Sequence, residues 1–469
     1  MSKLQPSKHL PAPWPRSLRL LGMVCALALS LAGCEQSSQL ARIQAQGELL
    51  VATRTAGTTY YQGPRGPAGL DYALVSRFAE HLGVRLRLVF PEDLSALLEA
   101  TRRGRVHMAA AGLTDTPQRR RALRFSLPYQ EINEELVYRR GSHRPSSLDQ
   151  IAPGQLHVVA GSSHAETLAR LQQHHPQLHW VERRGVGHEE LMQEVNRGEI
   201  SFGISDSHEL ALAQRVHRYL RTAFPVGESR QLAWAFPPSG DDSLRRAANR
   251  FLQSIRQDGT LERLIERYYG HTDRLNFVDR RDFRRHLRDR LPRLRKFFQE
   301  AAKASGYDWR LLAAIGYQES HWRPDAVSPT GVRGVMMLTR ATAERVGVKN
   351  RTDARQSIHG GARYLQIVEK KIPERIARPD RLWFTLAGYN VGFGHLEDAR
   401  ILTQRQGGNP DLWMDVKKRL PLLAEREYHE TLKHGFARGQ EPLTYVENIR
   451  NYYDLLVWYD HNPPAFQAE

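Results

Sequence analysis

Leu311-Leu312-Ala313-Ala314-Ile315-Gly316-Tyr317-Gln318-Glu319-Ser320-His321-Trp322 is an apolar run that ends in a carboxylate, a small hydroxyl and two aromatic rings. From Trp309 to Tyr317 the spacing is helical. A glutamate at the edge of an apolar helix face is poorly solvated, so its pKa rises and it keeps a proton near neutral pH. That is the state a general acid needs. Alone, Glu319 reads as an ordinary surface acid at a helix end.

Three later segments change that reading. They are Gly331-Val332-Arg333-Gly334-Val335-Met336-Met337-Leu338-Thr339, Ala387-Gly388-Tyr389-Asn390-Val391-Gly392 and Thr444-Tyr445-Val446-Glu447-Asn448-Ile449. Around them Ile358 to Val368 and Leu382 to Tyr389 keep helical spacing, and no stretch alternates for long. Residues 299–469 therefore read as all α. In this order the four segments resemble the soluble-lytic-transglycosylase domain, a goose-type-lysozyme-like fold.

The resemblance implies a role for each matching position. Glu319 is the catalytic acid/base and Ser320 the small polar residue after it. Met337 contacts sugar, Asn390 holds an N-acetyl or hydroxyl group of the substrate, and Tyr445 turns its hydroxyl to the catalytic carboxylate. The motif departs from its relatives at Met336, where Gln or Leu often stands. Each of these residues also has a structural reading: Met337 as core, Asn390 as a helix cap, Tyr445 as a buried ring. The expected reaction cleaves peptidoglycan glycan strands with one acid/base, no metal and no cofactor, and leaves a 1,6-anhydromuramyl end. Two-carboxylate glycosidases are the usual alternative, but no motif places Glu397, Asp398 or Glu447 as a nucleophile. A lysozyme-type hydrolase and a receptor with a glycan-binding C-terminal domain remain the rival readings.

Upstream, residues 45–269 alternate apolar strands with amphipathic helices. Leu49 to Thr53, Val84 to Phe90 and Val106 to Ala111 read as strands, with helices over Tyr72 to Leu82 and Leu94 to Arg103 between them. The rhythm restarts at Leu156 to Ala160, with a helix from about Ala165 and strands near Leu178–Val181 and Ile200–Ile204. Two successive β-α-β units predict two lobes with mostly parallel sheets and a ligand cleft between them. Gly112-Leu113-Thr114-Asp115-Thr116-Pro117-Gln118-Arg119 and Phe125-Ser126-Leu127-Pro128-Tyr129 resemble the periplasmic solute-binding proteins for polar amino acids. The resemblance implies that Gly112, Thr114 and Arg119 hold a ligand carboxylate and Asp206 an α-amine. Arg54 stands where many relatives carry an acid, which brings positive charge to the cleft mouth. Arg119 could instead belong to a solvated basic cluster with Arg120 and Arg121, on a lobe that is only structural. The fold class expected for the chain is thus multidomain: a bilobed α/β periplasmic-binding-protein-like regulatory domain, then an all-α lysozyme-like domain.

Between the two, residues 270–298 carry Arg280, Arg281, Arg284, Arg285, Arg288, Arg290, Arg293, Arg295 and Lys296. Phe283, Leu287, Leu291, Leu294 and Phe298 recur among them at steps of three or four, which predicts a connector helix with one apolar face and a solvated basic remainder. Pro292 predicts a kink or a new helix start.

At the N-terminus, Lys3, Lys8, Arg16 and Arg19 precede an apolar run from Leu20 to Ala32, too short to span a bilayer with ease. It closes on Leu31-Ala32-Gly33-Cys34 before polar Glu35-Gln36-Ser37-Ser38 and resembles a bacterial lipobox. The resemblance implies a signal peptide over 1–33, lipidation at Cys34, a tether over 34–44 and an outer-membrane location on the periplasmic face. An uncleaved membrane anchor is the alternative. With only Cys25 and Cys34 present, no disulfide framework or cysteine metal site exists downstream. The chain has 469 residues and a net charge of +17, which suits polyanionic surroundings. No zinc-finger spacing, P-loop or aromatic-rich RNA motif accompanies the charge, which argues against nucleic acid. The expected partners are glycan strands, an amino-acid or muropeptide effector, and a membrane reached through the lipid anchor.

Overall fold

The computed structural model describes residues 37–63, 66–217, 219–270 and 277–461. Cys34 and the segment before it lie outside the described residues. No helix among the described residues is long and apolar enough to cross a membrane.

The N-terminal half has two lobes, each built on a five-stranded sheet. In the first, the strands lie in the order Arg85–Val89, Glu48–Ala52, Met108–Ala109, Ala235–Phe236, Arg124–Phe125. Glu48–Ala52 is parallel to both of its neighbours, and Ala235–Phe236 is antiparallel to both of its own. In the second, the order is Val181–Arg183, Leu156–Val159, Phe202–Asp206, Glu134–Arg139, Leu220–Pro225. Here Glu134–Arg139 runs antiparallel to both neighbours. The chain crosses between lobes twice, through the antiparallel pair Gln130–Ile132 and Arg230–Leu232. The bilobed α/β expectation holds. The two sheets become mixed because the crossing strands enter each lobe against its parallel set.

Helix Gln39–Gln46 precedes the first strand, with Ser38 capping it and Ile43 buried in the first lobe's core. Part of the segment read as a tether is therefore packed: Ile43 is an apolar residue that the first lobe covers.

The C-terminal half is helical, with isolated bridges but no strand among the described residues. Its central helix, Trp309–Ser320, is capped by Asp308, whose carboxylate accepts from the Arg310 amide. It ends where His321 and Trp322 take left-handed φ values of 52° and 59°. The Trp322 indole then folds back and donates to the Ala313 carbonyl at 2.8 Å. Gly316 sits within about a methyl group of Phe298, Val335 and Met336, so a larger residue there would push the helix off its neighbours.

The basic segment forms two helices, Phe277–Asp289 and Leu291–Ser305, with Pro292 in the first turn of the second. Proline fits there because its missing N–H would have had no helical partner. Phe283, Leu287, Leu291, Leu294 and Phe298 are all buried in the core that surrounds Trp309–Ser320. This stretch thus forms a wall of the C-terminal core. The sequence pattern revealed an apolar face but not what covers it.

The halves meet on the long helix Gln440–His461. Arg450, 3% exposed, donates to the Glu266 carboxylate at 3.2 Å and to the carbonyls of Glu266 and Arg267. Lys417 reaches the same carboxylate at 2.8 Å, and Arg450 stacks over Trp383. From the second lobe, Arg215 pairs with Asp454 at 2.6 Å.

Candidate active site and N-terminal cleft

Glu319 lies in the last turn of Trp309–Ser320, half-buried behind the apolar run that precedes it. Desolvation raises its carboxyl to about 7, partly offset by the hydroxyl of Tyr445. That hydroxyl donates to Glu319 Oε1 at 2.6 Å. Burial, and then the nearby Glu319, hold the Tyr445 hydroxyl well above its ordinary pKa, so it stays a donor. No second carboxylate among the described residues contributes to the Glu319 shift. Glu397 is engaged with Arg400, and Asp398 accepts from the His434 amide.

The neighbouring motif residues form a support around this pair. Tyr389 stacks on Tyr445 with ring centroids 6.4 Å apart and 14° between planes. The Tyr389 hydroxyl donates to the Met336 carbonyl at 3.2 Å. Ser320 is buried, and its hydroxyl donates to the Val335 carbonyl at 2.9 Å. Its place is therefore a tie between helix Trp309–Ser320 and the 334–338 turn. In that turn Gly334 has φ 87°, and any side chain there would collide with the Arg351 carbonyl. Met337 also takes a positive φ, 45°. The left-handed residue separates the two methionines: Met336 is fully buried, whereas Met337 is half-exposed. Asn390 is exposed at the end of helix Asp380–Val391, and its side chain has no protein hydrogen bond among the described residues.

The structure thus brings Glu319 and Tyr445 into direct contact and links them through Tyr389 to the turn that carries Met337. Tyr389 lay inside a quoted motif, but its spacing alone carried no sign of a stacking role.

In the N-terminal half, Gly112, Thr114, Arg119 and Asp206 all line one cleft of about 840 Å³ between the lobes. Each is already engaged. The Gly112 amide donates to Asp71, and the Thr114 hydroxyl meets Ser163 across the cleft at 3.2 Å. Arg119 is 7% exposed, so it is not part of a solvated cluster; Arg120 pairs outside it with Asp115. The Arg119 guanidinium donates to the carbonyls of Thr114 and Gly161, with Glu166 at 3.5 Å. Asp206 accepts from His164 Nε2 at 2.9 Å. Arg54 does not leave free positive charge at the mouth, because Glu209 of the other lobe neutralises it at 2.5 Å. Glu134, His164 and Glu209 carry no sequence motif, and pattern reading passes over them.

Comparison with known proteins agrees with this two-part geometry. Residues 49–271 match the family model for bacterial extracellular solute-binding proteins, family 3, and residues 296–411 match the transglycosylase SLT domain. The chain is 48% identical over 418 residues to membrane-bound lytic murein transglycosylase F 1 of Alkalilimnicola ehrlichii, covering 89% of this chain and 85% of that protein. It is 46% identical over 456 residues to membrane-bound lytic murein transglycosylase F of Alcanivorax borkumensis, covering 97% of this chain and 96% of that protein. Among solved structures, a mutant of ArgBP from T. maritima is similar at 22% identity and a TM-score of 0.45, covering 49% of this chain and 99% of that one. Full-length identity at this level, over both matched domains, means that the chain belongs to the membrane-bound lytic murein transglycosylase F family.

Proposed function

We propose that this chain is a peptidoglycan lytic transglycosylase, a lyase that cleaves the β-1,4 bond between N-acetylmuramic acid and N-acetylglucosamine without water. The observation that carries the reading is a single poorly solvated acid at about 7, held by one tyrosine hydroxyl. The names of its relatives agree with it. Glu319 gives its proton to the glycosidic oxygen, and the bond from that oxygen to C1 of the muramyl sugar breaks. The sugar's own 2-acetamido oxygen stabilises the cation at C1. The Glu319 carboxylate then takes the proton of the C6 hydroxyl, whose oxygen bonds to C1 and closes the 1,6-anhydro ring. One residue acts as acid and then as base, so the site needs no second carboxylate, metal or cofactor. Met337 and Asn390 are proposed to contact the sugars.

Mass spectrometry of products from purified sacculi tests this directly. Anhydro ends lack one water relative to reducing ends, so reducing ends alone would make the chain a hydrolase. A second test uses pH. The acid form of Glu319 falls away above about pH 7, so cleavage should decline on the alkaline side. Tyr445→Phe removes a donor that favours the carboxylate, which should move that decline to higher pH and lower the rate about tenfold. An unmoved alkaline limb would deny Tyr445 its place beside the acid.

The N-terminal cleft is proposed to sense an amino acid or muropeptide and to tune cleavage. Helix Gln440–His461 supports this, because it carries Tyr445 toward Glu319 and Arg450 and Asp454 toward the two lobes. Calorimetry with both ligand types, paired with cleavage rates, is the check; binding that leaves the rate unchanged would remove the regulatory role. Lipidation at Cys34 and an outer-membrane location are proposed on the lipobox alone. The membrane-bound naming of the relatives agrees with membrane attachment.

A further inference from the structure

Glu134 opens strand Glu134–Arg139 of the second lobe and is 1% exposed. Neither of its carboxylate oxygens has a hydrogen-bond partner among the described residues. A buried carboxylate without partners is costly, and native structures normally satisfy such a group with a proton, a cation or water. Its direct cross-strand neighbour is another acid, Asp206. Like charges directly opposite on antiparallel strands destabilise the pair. The arrangement asks for a positive charge between them.

His164, in the first turn of helix Ser163–Leu171, supplies the third group. Ligand atoms of Glu134, His164 and Asp206 all lie within 4.8 Å of one another, and all three residues are buried. The neighbouring Arg119 gives its hydrogen bonds to two carbonyls and faces Glu166, so its charge reaches Glu134 and Asp206 only through space. His164 and Asp206 line the cleft, so the cluster is reachable from it.

We propose that Glu134, His164 and Asp206 bind a divalent transition-metal ion of the Zn²⁺ class beside the N-terminal cleft. One imidazole nitrogen with two carboxylates suits zinc and its neighbours, whereas calcium and magnesium prefer all-oxygen shells. The ion takes the place of the proton that now joins His164 Nε2 to Asp206, and that proton passes to solvent. Three protein ligands leave a position for water or for a donor atom of a cleft ligand, as in exchangeable zinc sites. This assignment is independent of the glycan chemistry at Glu319, and it gives the two carboxylates a role other than holding an α-amine.

The experiment is titration of the chelator-treated full chain with Zn²⁺ by calorimetry, alongside Glu134→Gln and His164→Ala. Loss of even an outer partner of a metal ligand costs 10–100-fold in affinity, so each variant should bind at least about a hundredfold more weakly. Co²⁺ should give visible absorption bands in the wild type that His164→Ala loses. Circular dichroism and thermal unfolding of the metal-free variants check their fold. Glu134→Gln, which relieves the like-charge contact, carries the test if His164→Ala does not fold. Equal Zn²⁺ uptake by wild type and Glu134→Gln, or no uptake, overturns the proposal. So does amino-acid binding that needs Glu134 and Asp206 and that Zn²⁺ does not compete with, since the carboxylates would then belong to an ammonium group.

Discussion

Glu319→Gln is expected to reduce cleavage of purified sacculi by about 10²–10⁴-fold while leaving the protein folded. The amide matches the shape of the protonated acid but can neither deliver a proton nor take one back. It should also make the fold more stable at alkaline pH. The folded carboxyl sits at about 7 against an ordinary value of 4.5, so the unfolded chain releases this proton first. The penalty is absent below about pH 4.5, grows as pH rises, and is complete above about 7. At one pKa unit per ~1.4 kcal/mol, it reaches up to roughly 3 kcal/mol. Glutamine removes that penalty. Loss of activity with unchanged or raised melting temperature at pH 8 is the expected pair of results. Full cleavage activity in the variant would sink the assignment of Glu319 as acid/base.

Phe283→Ala carries the second large effect, on stability. Phe283 is fully buried, with ring centroids 4.6 Å from Tyr317, 5.6 Å from Trp322 and 5.1 Å from Tyr452. Truncating a buried phenylalanine costs about 3–5 kcal/mol through lost transfer energy and the cavity left behind. Tyr317 and Trp322 lie either side of Glu319 in sequence, so the loss should loosen helix Trp309–Ser320 as well. Denaturant unfolding read through the C-terminal transition measures it. Arg293→Ala is the control: it is an exposed position on the following helix, expected to change stability by less than about 0.5 kcal/mol. If Phe283→Ala shifted that transition no more than Arg293→Ala, the basic segment would not be part of the C-terminal core.

The pair Glu319 and Tyr445 was legible in the chain because its parts lie in short contiguous motifs. An apolar run ending at Glu319 forecasts its own desolvation, and helix periodicity is local. Strands such as Glu48–Ala52 and Leu156–Val159 were legible for the same reason: a buried parallel strand is an apolar run. Other features were not. Val106–Ala111 shortened to the two-residue strand Met108–Ala109, and the strand expected near Leu178–Val181 formed at Val181–Arg183. Where a strand begins and ends depends on its partner's register, which one segment does not contain. Ser320 carried a motif match yet spends its hydroxyl on the Val335 carbonyl, a contact that needs the 334–338 turn in place.

The amino-acid sequence by itself determined the two fold classes, the acid Glu319 with its apolar helix, and the partner Tyr445 through a family motif. The fold classes and the desolvated acid follow from neighbours within a few turns of chain; Tyr445, 126 positions from Glu319, was reached only through the family resemblance. Only the tertiary structure decided where the basic segment's apolar face is buried, that Arg54 is neutralised by Glu209, and that Glu134 lies against Asp206 and His164. Charge pairing and the burial of a face are set by residues tens to hundreds of positions apart. Their cost or benefit exists only once folding has removed water and brought the partners within a few ångströms.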